Sequence, residues 1–364
     1  MTGPTSTIRL MDYLPPIYER LLPALFDREI PVETRATCED CAMCSDVSGA
    51  PSELGLKSFH PDRKCCTYYP SLPNYLVGAL LSSQDPELAE GRARVRARIR
   101  QGDGISPRGV VMPRKFAVLY ENGAEFFGRT GTLLCPYLDD GKCSIWKYRE
   151  AVCSTYFCKY VKGARGREFW GDLKSYLSHI ESRLSLLVIT QVERDEAQLD
   201  RWWEEWQQRA PLSLEEIDGL RPNEDTYRAK WGKWAGDEEA FYRACYEQLQ
   251  KLTAADVEKA SGIEETYLRQ RLERKLDLNA TDVIPKRLKR NSELVVVKHQ
   301  GNYLLTSPLH KADVFELSPL IYPVLDEFDG TRDWEEVCRD ISETKKMVLP
   351  EPLIAKLYYL GALV

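Results

Sequence analysis

The residues best suited to chemistry are cysteines. The stretch Cys135-Pro-Tyr-Leu-Asp-Asp-Gly-Lys-Cys143-Ser-Ile-Trp-Lys-Tyr-Arg-Glu-Ala-Val-Cys153-Ser-Thr-Tyr-Phe-Cys158 places four thiols in 24 residues. Upstream lie Cys38, Cys41, Cys44 and the doublet Cys65-Cys66. Nine of the 11 cysteines thus fall within the first 158 residues, leaving only Cys245 and Cys338 outside. Soft, anionic sulfur suits zinc and iron–sulfur clusters. A C-x2-C-x2-C run lets one loop turn three thiolates toward one centre, and bacterial ferredoxins add a further cysteine followed by proline. Cys38, Cys41 and Cys44 have that spacing, and Cys135-Pro136 supplies the second element. The pattern favours an iron–sulfur cluster of the 4Fe–4S type, with zinc close behind. Spacing does not partition nine sulfurs. One four-sulfur centre with spare thiols and two centres that use eight thiols both fit.

Other polar residues in the region are weaker candidates. His60 is the one histidine among the cysteines, and four-sulfur sets fill without it. Asp139-Asp140-Gly141 reads as a turn rather than a magnesium or acid–base site. Lys147 and Arg149 are placed to offset thiolate charge or to face solvent. No catalytic residue is identified, and no spacing marks the open coordination position that a catalytic zinc needs. Glycine-rich phosphate loops, G-x-S-x-G elbows and H-E-x-x-H pairs are all absent from the sequence.

The elements that must position these thiols can be read in outline. The length corresponds to about two domains at ~150 residues each. A hydrophobic content of 43% and a charged content of 29% describe an ordinary globular chain with enough apolar material for a core. A net charge of −6 argues against a chain-wide nucleic-acid or membrane-surface role. The first residues lack a secretory pattern, and no run approaches the ~20 apolar residues needed to span a bilayer. Cytoplasmic placement is therefore expected, where thiols stay reduced and clustered cysteines point to metal rather than disulfides.

A short helix is expected over 15–26, a loop around Cys38 to Cys44, and a buried helix over 72–81. Asp85-Pro86 is a helix start and Gly102 a stop. Arg92, Arg94, Arg96, Arg98 and Arg100 alternate between them, either as a solvated face or as an anion or acidic-partner contact. Asn122-Gly123 between two apolar-aromatic runs predicts a hairpin over 115–130. Helical periodicity then dominates 166–208, with Trp202, Trp203 and Trp206 near its end, read as packing residues. Further helices are expected at 237–251 and 253–276, the latter opened by a capping box at Thr253 and Asp256. Cys245 reads as a small buried hydrophobe. Residues 281–292 read as a basic linker. Beyond it come two strands, 294–298 and 303–306, and three helices near 316–328, 332–342 and 350–360. The expected fold class is α+β and predominantly helical. It comprises a loop-rich, metal-stapled cysteine-cluster domain over 1–165, a helical region over 166–285 and a small domain over 290–364.

The constellation resembles that of the YkgJ-like cysteine-cluster proteins. Cys143-Ser-Ile-Trp-Lys-Tyr-Arg-Glu-Ala-Val-Cys153-Ser-Thr-Tyr-Phe-Cys158 is similar to their C-terminal signature. Cys135-Pro-Tyr-Leu and Gly141-Lys-Cys143 are similar to the part that precedes it, and Cys38-x2-Cys41-x2-Cys44 to their N-terminal half. The resemblance covers about residues 36–160, roughly a third of the chain. It implies zinc or iron chelation, with Cys38, Cys41, Cys44, Cys65, Cys66, Cys135, Cys143, Cys153 and Cys158 as the ligand pool. There are departures. Ser45 follows Cys44 where the family has its cysteine doublet, Glu150 stands where Arg149 is followed by proline in the family, and Ser154 replaces an arginine.

Residues 290–364 show a weaker resemblance to PqqD-like winged-helix modules, carried by strand-turn-strand, a helix ending at Gly330, and the close Leu357-Tyr-Tyr-Leu-Gly-Ala-Leu-Val364. Such modules bind a peptide by strand addition. A peptide or protein partner is therefore expected there, or a purely structural role. Asp326, Glu327, Asp329, Glu335 and Glu336 have the wrong sign for phosphate and argue against nucleic acid. The leading expectation is a metal-binding protein with a recognition module. An iron–sulfur oxidoreductase or peptide-modifying enzyme is the alternative, and a metal- or redox-responsive regulator the third reading.

Overall fold

The computed structural model describes residues 6–34, 38, 41–45, 58–102, 104–207, 224–280, 284–306 and 314–364. Gly49 to Pro51, Pro211 and Arg221 to Asn223, which read in the sequence as breaks between elements, lie outside them. The chain is mixed α+β and mainly helical, as its sequence predicts.

It opens with an antiparallel pair, β1 (Thr7–Arg9) and β2 (Glu29–Pro31), joined through 3-10 turns at Leu10–Tyr13, Pro16–Tyr18 and Ala24–Asp27. The single helix expected over 15–26 is not formed. Pro15, Pro16 and Pro23 offer no backbone N–H, so the segment folds as separate turns that bury Tyr18, Leu21, Leu22 and Phe26. One helical turn, α1 (Ala42–Ser45), follows Cys41. β3 (Leu72–Pro73) leads into α2 (Asn74–Ser82), which is buried along almost its whole length. Asp85 then accepts the Glu87 N–H at 3.0 Å, Pro86 opens a 3-10 turn, and α3 (Ala89–Gln101) runs to Gly102 at φ 71°. Start and stop both fall where the sequence puts them.

β4 (Ile105–Ser106) and β5 (Gly109–Val110) complete a small sheet in the order β3-β5-β4. The hairpin expected over 115–130 is instead a helix, α4 (Arg114–Gly123), followed by a 3-10 turn at Ala124–Phe126. Phe116 and Tyr120 share one helical face, with ring centroids 5.1 Å from Tyr69 and 6.1 Å from Tyr68 respectively. This helical period outweighs the local Asn-Gly signal. Asn122 turns its amide back to the Val118 carbonyl at 2.7 Å, and Gly123 ends the helix.

A two-residue hairpin, β6 (Leu138–Asp139) and β7 (Lys142–Cys143), and a short helix, α5 (Ala151–Thr155), carry the second cysteine group. The long helix expected over 166–208 is two helices, α6 (Gly163–Val192) and α7 (Glu196–Gln207). Glu193 parts them. Its buried carboxylate collects the N–H groups of Arg194 and Asp195 at 2.8 and 2.9 Å, the Trp234 indole at 3.0 Å and Lys233 at 2.7 Å. Those bonds turn the chain where periodicity alone would continue it. Then come α8 (Glu224–Trp231), α9 (Glu238–Leu249) and α10 (Ala254–Ala280), the last kinked at Gly262. The capping box is present: the Asp256 carboxylate accepts the Thr253 N–H at 2.9 Å and its hydroxyl at 2.7 Å.

α6 is the axis of the first hydrophobic core. Phe169, Trp170, Leu173, Tyr176, Leu177, Ile180, Leu184 and Val188 recur at helical spacing and are buried against α10, α9, α5 and α2. Residues from Leu10 through Leu276 share this core, so the cysteine loops and the helical middle rest on the same side chains. α2 and α9 approach backbone to backbone at Gly78, where an added Cβ would stand 1.9 Å from the Tyr242 carbonyl oxygen. Trp202 and Cys245 are buried here as expected, whereas Trp203 is exposed.

Within 284–364 a second core closes. The supposed linker holds β8 (Arg287–Lys289). β9 (Val295–His299) and β10 (Asn302–Thr306) form the expected hairpin across Gln300 and Gly301, both at positive φ. The helix expected over 316–328 is not formed. In its place are β11 (Phe315–Leu317), paired with β10, and a 3-10 turn at Tyr322–Glu327, because Pro319 and Pro323 interrupt any longer helix. β12 (Asp329–Asp333) pairs with β8, and α11 (Trp334–Lys345) and α12 (Glu351–Tyr359) finish the chain. Among the described residues no helix is long and apolar enough to cross a membrane.

Candidate metal centre

The stretch from Cys135 to Cys143 is shaped by α3. Arg94 donates to the carbonyls of Pro136 and Leu138 at 3.0 and 2.8 Å and pairs with the Asp139 carboxylate at 2.7 Å. Arg98, itself buried, reaches the Tyr137 hydroxyl at 3.3 Å and the Val111 carbonyl at 2.6 Å. Arg96 forms a fork with Glu239, and Arg92 meets the Asp85 carbonyl at 2.7 Å. Four of the five alternating arginines are thus used inside the chain. Gly91 lets α3 approach the loop, since a Cβ there would stand 2.3 Å from the Ser144 carbonyl oxygen. The Asp139-Asp140-Gly141 segment is a turn as read, with Asp140 and Gly141 at φ 41° and 72°, the pair of left-handed residues that a tight hairpin requires.

The two halves of the constellation meet through backbone. The Cys135 N–H donates to the Cys66 carbonyl at 2.8 Å. The Phe59 N–H donates to the Met43 carbonyl and the His60 N–H to the Gly128 carbonyl, at 3.0 and 2.8 Å, which ties the first cysteine turn to the segment after α4. Lys64 reaches the Cys38 carbonyl. His60 is exposed and turns its ring to Asp62, whose N–H it accepts at 3.3 Å. α5 starts on Glu150. Its carboxylate accepts the N–H groups of Val152 and Cys153 at 2.6 and 3.0 Å.

Each of the nine thiols has another cysteine as an electrostatic neighbour. Cys38 is linked to Cys66 and Cys41, Cys44 to Cys41, and Cys65 to Cys66, Cys38 and Cys158. Cys135 neighbours Cys66 and Cys143, Cys143 neighbours Cys66 and Cys38, and Cys153 neighbours Cys135 and Cys143. The network is continuous, and Cys38, Cys66 and Cys143 are its best-connected members. Cys245 and Cys338 have no thiol beside them in this network. Among the described residues the thiols share a region without three ligating side chains converging on one point.

Burial, with neighbouring thiols adding to it, pushes Cys135 up to about 12 and Cys143 to about 11, and Cys153 rises well above the ordinary thiol range. Cys66 moves the other way, to about 7, because Cys65 donates a hydrogen bond to it while Lys64 and Arg149 add positive charge. Arg149 is half-buried, lies over the Trp146 ring at 3.4 Å and donates to the Cys153 carbonyl at 3.2 Å. Burial lowers its affinity for a proton, and the thiols Cys143, Cys153, Cys38 and Cys65 pull it back. Burial keeps most of these sulfurs in the thiol form, and a soft cation would favour the ionised sulfurs that burial disfavours. The donor set fits zinc or an iron–sulfur cluster.

Sequence reading found the thiols but not the groups that hold them. Arg94 and Arg98 lay in a run whose targets are distant in sequence, and Glu150 was visible only as a departure from a motif. No protein-family model matches the chain, and no curated protein or solved structure matches it.

Proposed function

We propose that this protein binds an iron–sulfur cluster of the 4Fe–4S type, or zinc, at its cysteine network. The observation that carries the reading is the continuity of that network: nine thiols from segments far apart in sequence are neighbours, and the two cysteines outside the motif are not. Cys38, Cys41, Cys44, Cys65, Cys66, Cys135, Cys143, Cys153 and Cys158 form the ligand pool, in one centre or two. The bound group supplies electron storage if it is iron–sulfur and a fold-organising charge if it is zinc. The chain's own residues exclude water, hold the loops through Arg94 and Glu150, and set the charge with Arg149 and Lys64.

The 290–364 segment, as a separate domain, recruits a peptide or protein partner in this reading. In the order β11-β10-β9 the sheet ends at β9, whose outer edge has no strand beside it among the described residues. A peptide adding there gains main-chain hydrogen bonds.

Anaerobic purification with iron, zinc and sulfide analysis tests the metal. Stoichiometric iron and sulfide with a broad visible absorption band is expected for the cluster, and colourless protein with zinc for the alternative. Cys66→Ser should lower metal content, while Cys245→Ser and Cys338→Ser leave it unchanged. Metal-free protein from anaerobic cells would refute both forms.

A further inference from the structure

Beside α5 lies a cavity of about 450 Å³. Glu150 and Glu181 form part of its wall, with Tyr68 next to them, and Arg108, Ser182 and Trp206 line it as well; its other charged residues, Lys230 and Glu205, pair with each other at 3.3 Å. The volume is that of an ordinary small-molecule site.

Three of the charged groups in this cavity have no ion-pair partner among the described residues. Glu181 is buried and accepts from the Tyr18 hydroxyl at 2.9 Å and from the Ala151 backbone. Glu150 is its electrostatic neighbour, likewise buried, and its carboxylate accepts the N–H groups of Val152 and Cys153. Neither carboxylate has an ion-pair partner among the described residues. Arg108 has none either. Its guanidinium donates to the Ser182 hydroxyl at 3.2 Å and lies over the Trp206 ring at 5.4 Å. Burial works against the ionised form of Glu181 and of Arg108 alike. Two carboxylates and a guanidinium therefore line one water-accessible space without neutralising one another. A buried charge left without a partner is costly, and the cost falls when a ligand supplies the partner.

We propose that this cavity binds a zwitterion, a free α-amino acid or the charged end of a short peptide, with its ammonium at Glu181 and Glu150 and its carboxylate at Arg108. A purely cationic ligand leaves Arg108 unpaired, and a purely anionic one leaves the two carboxylates unpaired. A guanidinium has parallel N–H groups that a carboxylate can accept, and Arg108 is held by its hydrogen bond to the Ser182 hydroxyl. The site is independent of which metal the thiols hold.

Calorimetric titration of the full-length, metal-loaded protein with glycine, L-alanine, L-phenylalanine and glycylglycine tests this, each paired with its N-acetylated and its amidated counterpart. Saturable binding of at least one zwitterion is expected, weakened roughly tenfold or more by either blocking group and by Arg108→Gln. Arg108 is only half-buried, and Ser182→Ala, which removes one hydroxyl, serves as a second variant that should weaken binding by a smaller factor. Thermal melting and metal analysis of the same samples separate a lost ligand site from lost folding or a lost centre. Failure of every zwitterion to bind, equal binding of the blocked analogues, or unchanged affinity in a folded Arg108→Gln variant overturns the proposal.

Discussion

In the 284–364 segment sixteen buried hydrophobic residues, Leu305 and Ile354 among them, close around short strands and two helices. In the stretches 58–70 and 127–160 the regular structure amounts to one two-residue hairpin, a 3-10 turn at Trp146–Tyr148 and the five residues of α5. Their fixed points are polar instead: Cys135 on the Cys66 carbonyl, Arg94 on two carbonyls, and Glu150 on two N–H groups. The first region is of a size that folds on apolar burial. The second has backbone geometry and a cluster of mostly half-buried thiols, and in the proposed function the metal supplies what apolar burial does not.

Metal removal should separate the two most sharply. A structural zinc contributes on the order of 10–16 kcal/mol of apparent binding free energy. Chelation should therefore bring amide exchange in 58–70 and 146–160 close to solvent rates while 314–364 stays protected. Equal loss of protection in both would break the comparison. A core truncation should show the converse. Leu305→Ala or Ile354→Ala removes a fully buried side chain and should cost about 2–5 kcal/mol in denaturant unfolding of the second core. Metal stoichiometry should stay at its wild-type value.

The smallest effect concerns the tie between α3 and the cysteine loop. Lys147 hydrogen-bonds Asp85 and, together with the Glu87 N–H, holds its carboxyl below the usual range. A lowered folded-state value stabilises above the unfolded value of about 4 and is lost as pH falls through the folded one. Asp85→Asn should thus lower the melting temperature slightly at pH 7, and the gap to wild type should close below about pH 4. A gap that widened in acid would contradict the pairing. The effect is small because this ion pair is solvent-exposed.

These differences bear on what a sequence displays. Local chemistry was legible: Asp85-Pro86 and Gly102 bounded a helix, Thr253 and Asp256 capped another, and the nine cysteines marked themselves by density. Features decided by distant partners were not. Asn122-Gly123 signalled a turn, but Tyr68 and Tyr69 provided the surface for a helix. Glu193 broke a periodic run through bonds to Lys233 and Trp234, some 40 residues away. The basic stretch after 284 became a strand because β12 lies beside it. Glu181, buried on the axial helix, reads in the sequence as an ordinary solvent-facing acid.

Arg94 grips the chain on both sides of Tyr137 without using a sulfur atom. The bend between Cys135 and Cys143 is therefore set by a helix and does not wait for an ion. A loop that needs no rearrangement is the natural landing point during assembly. In the proposed function, Cys135 and Cys143 are then the pair of sulfurs held in place before an ion or cluster arrives.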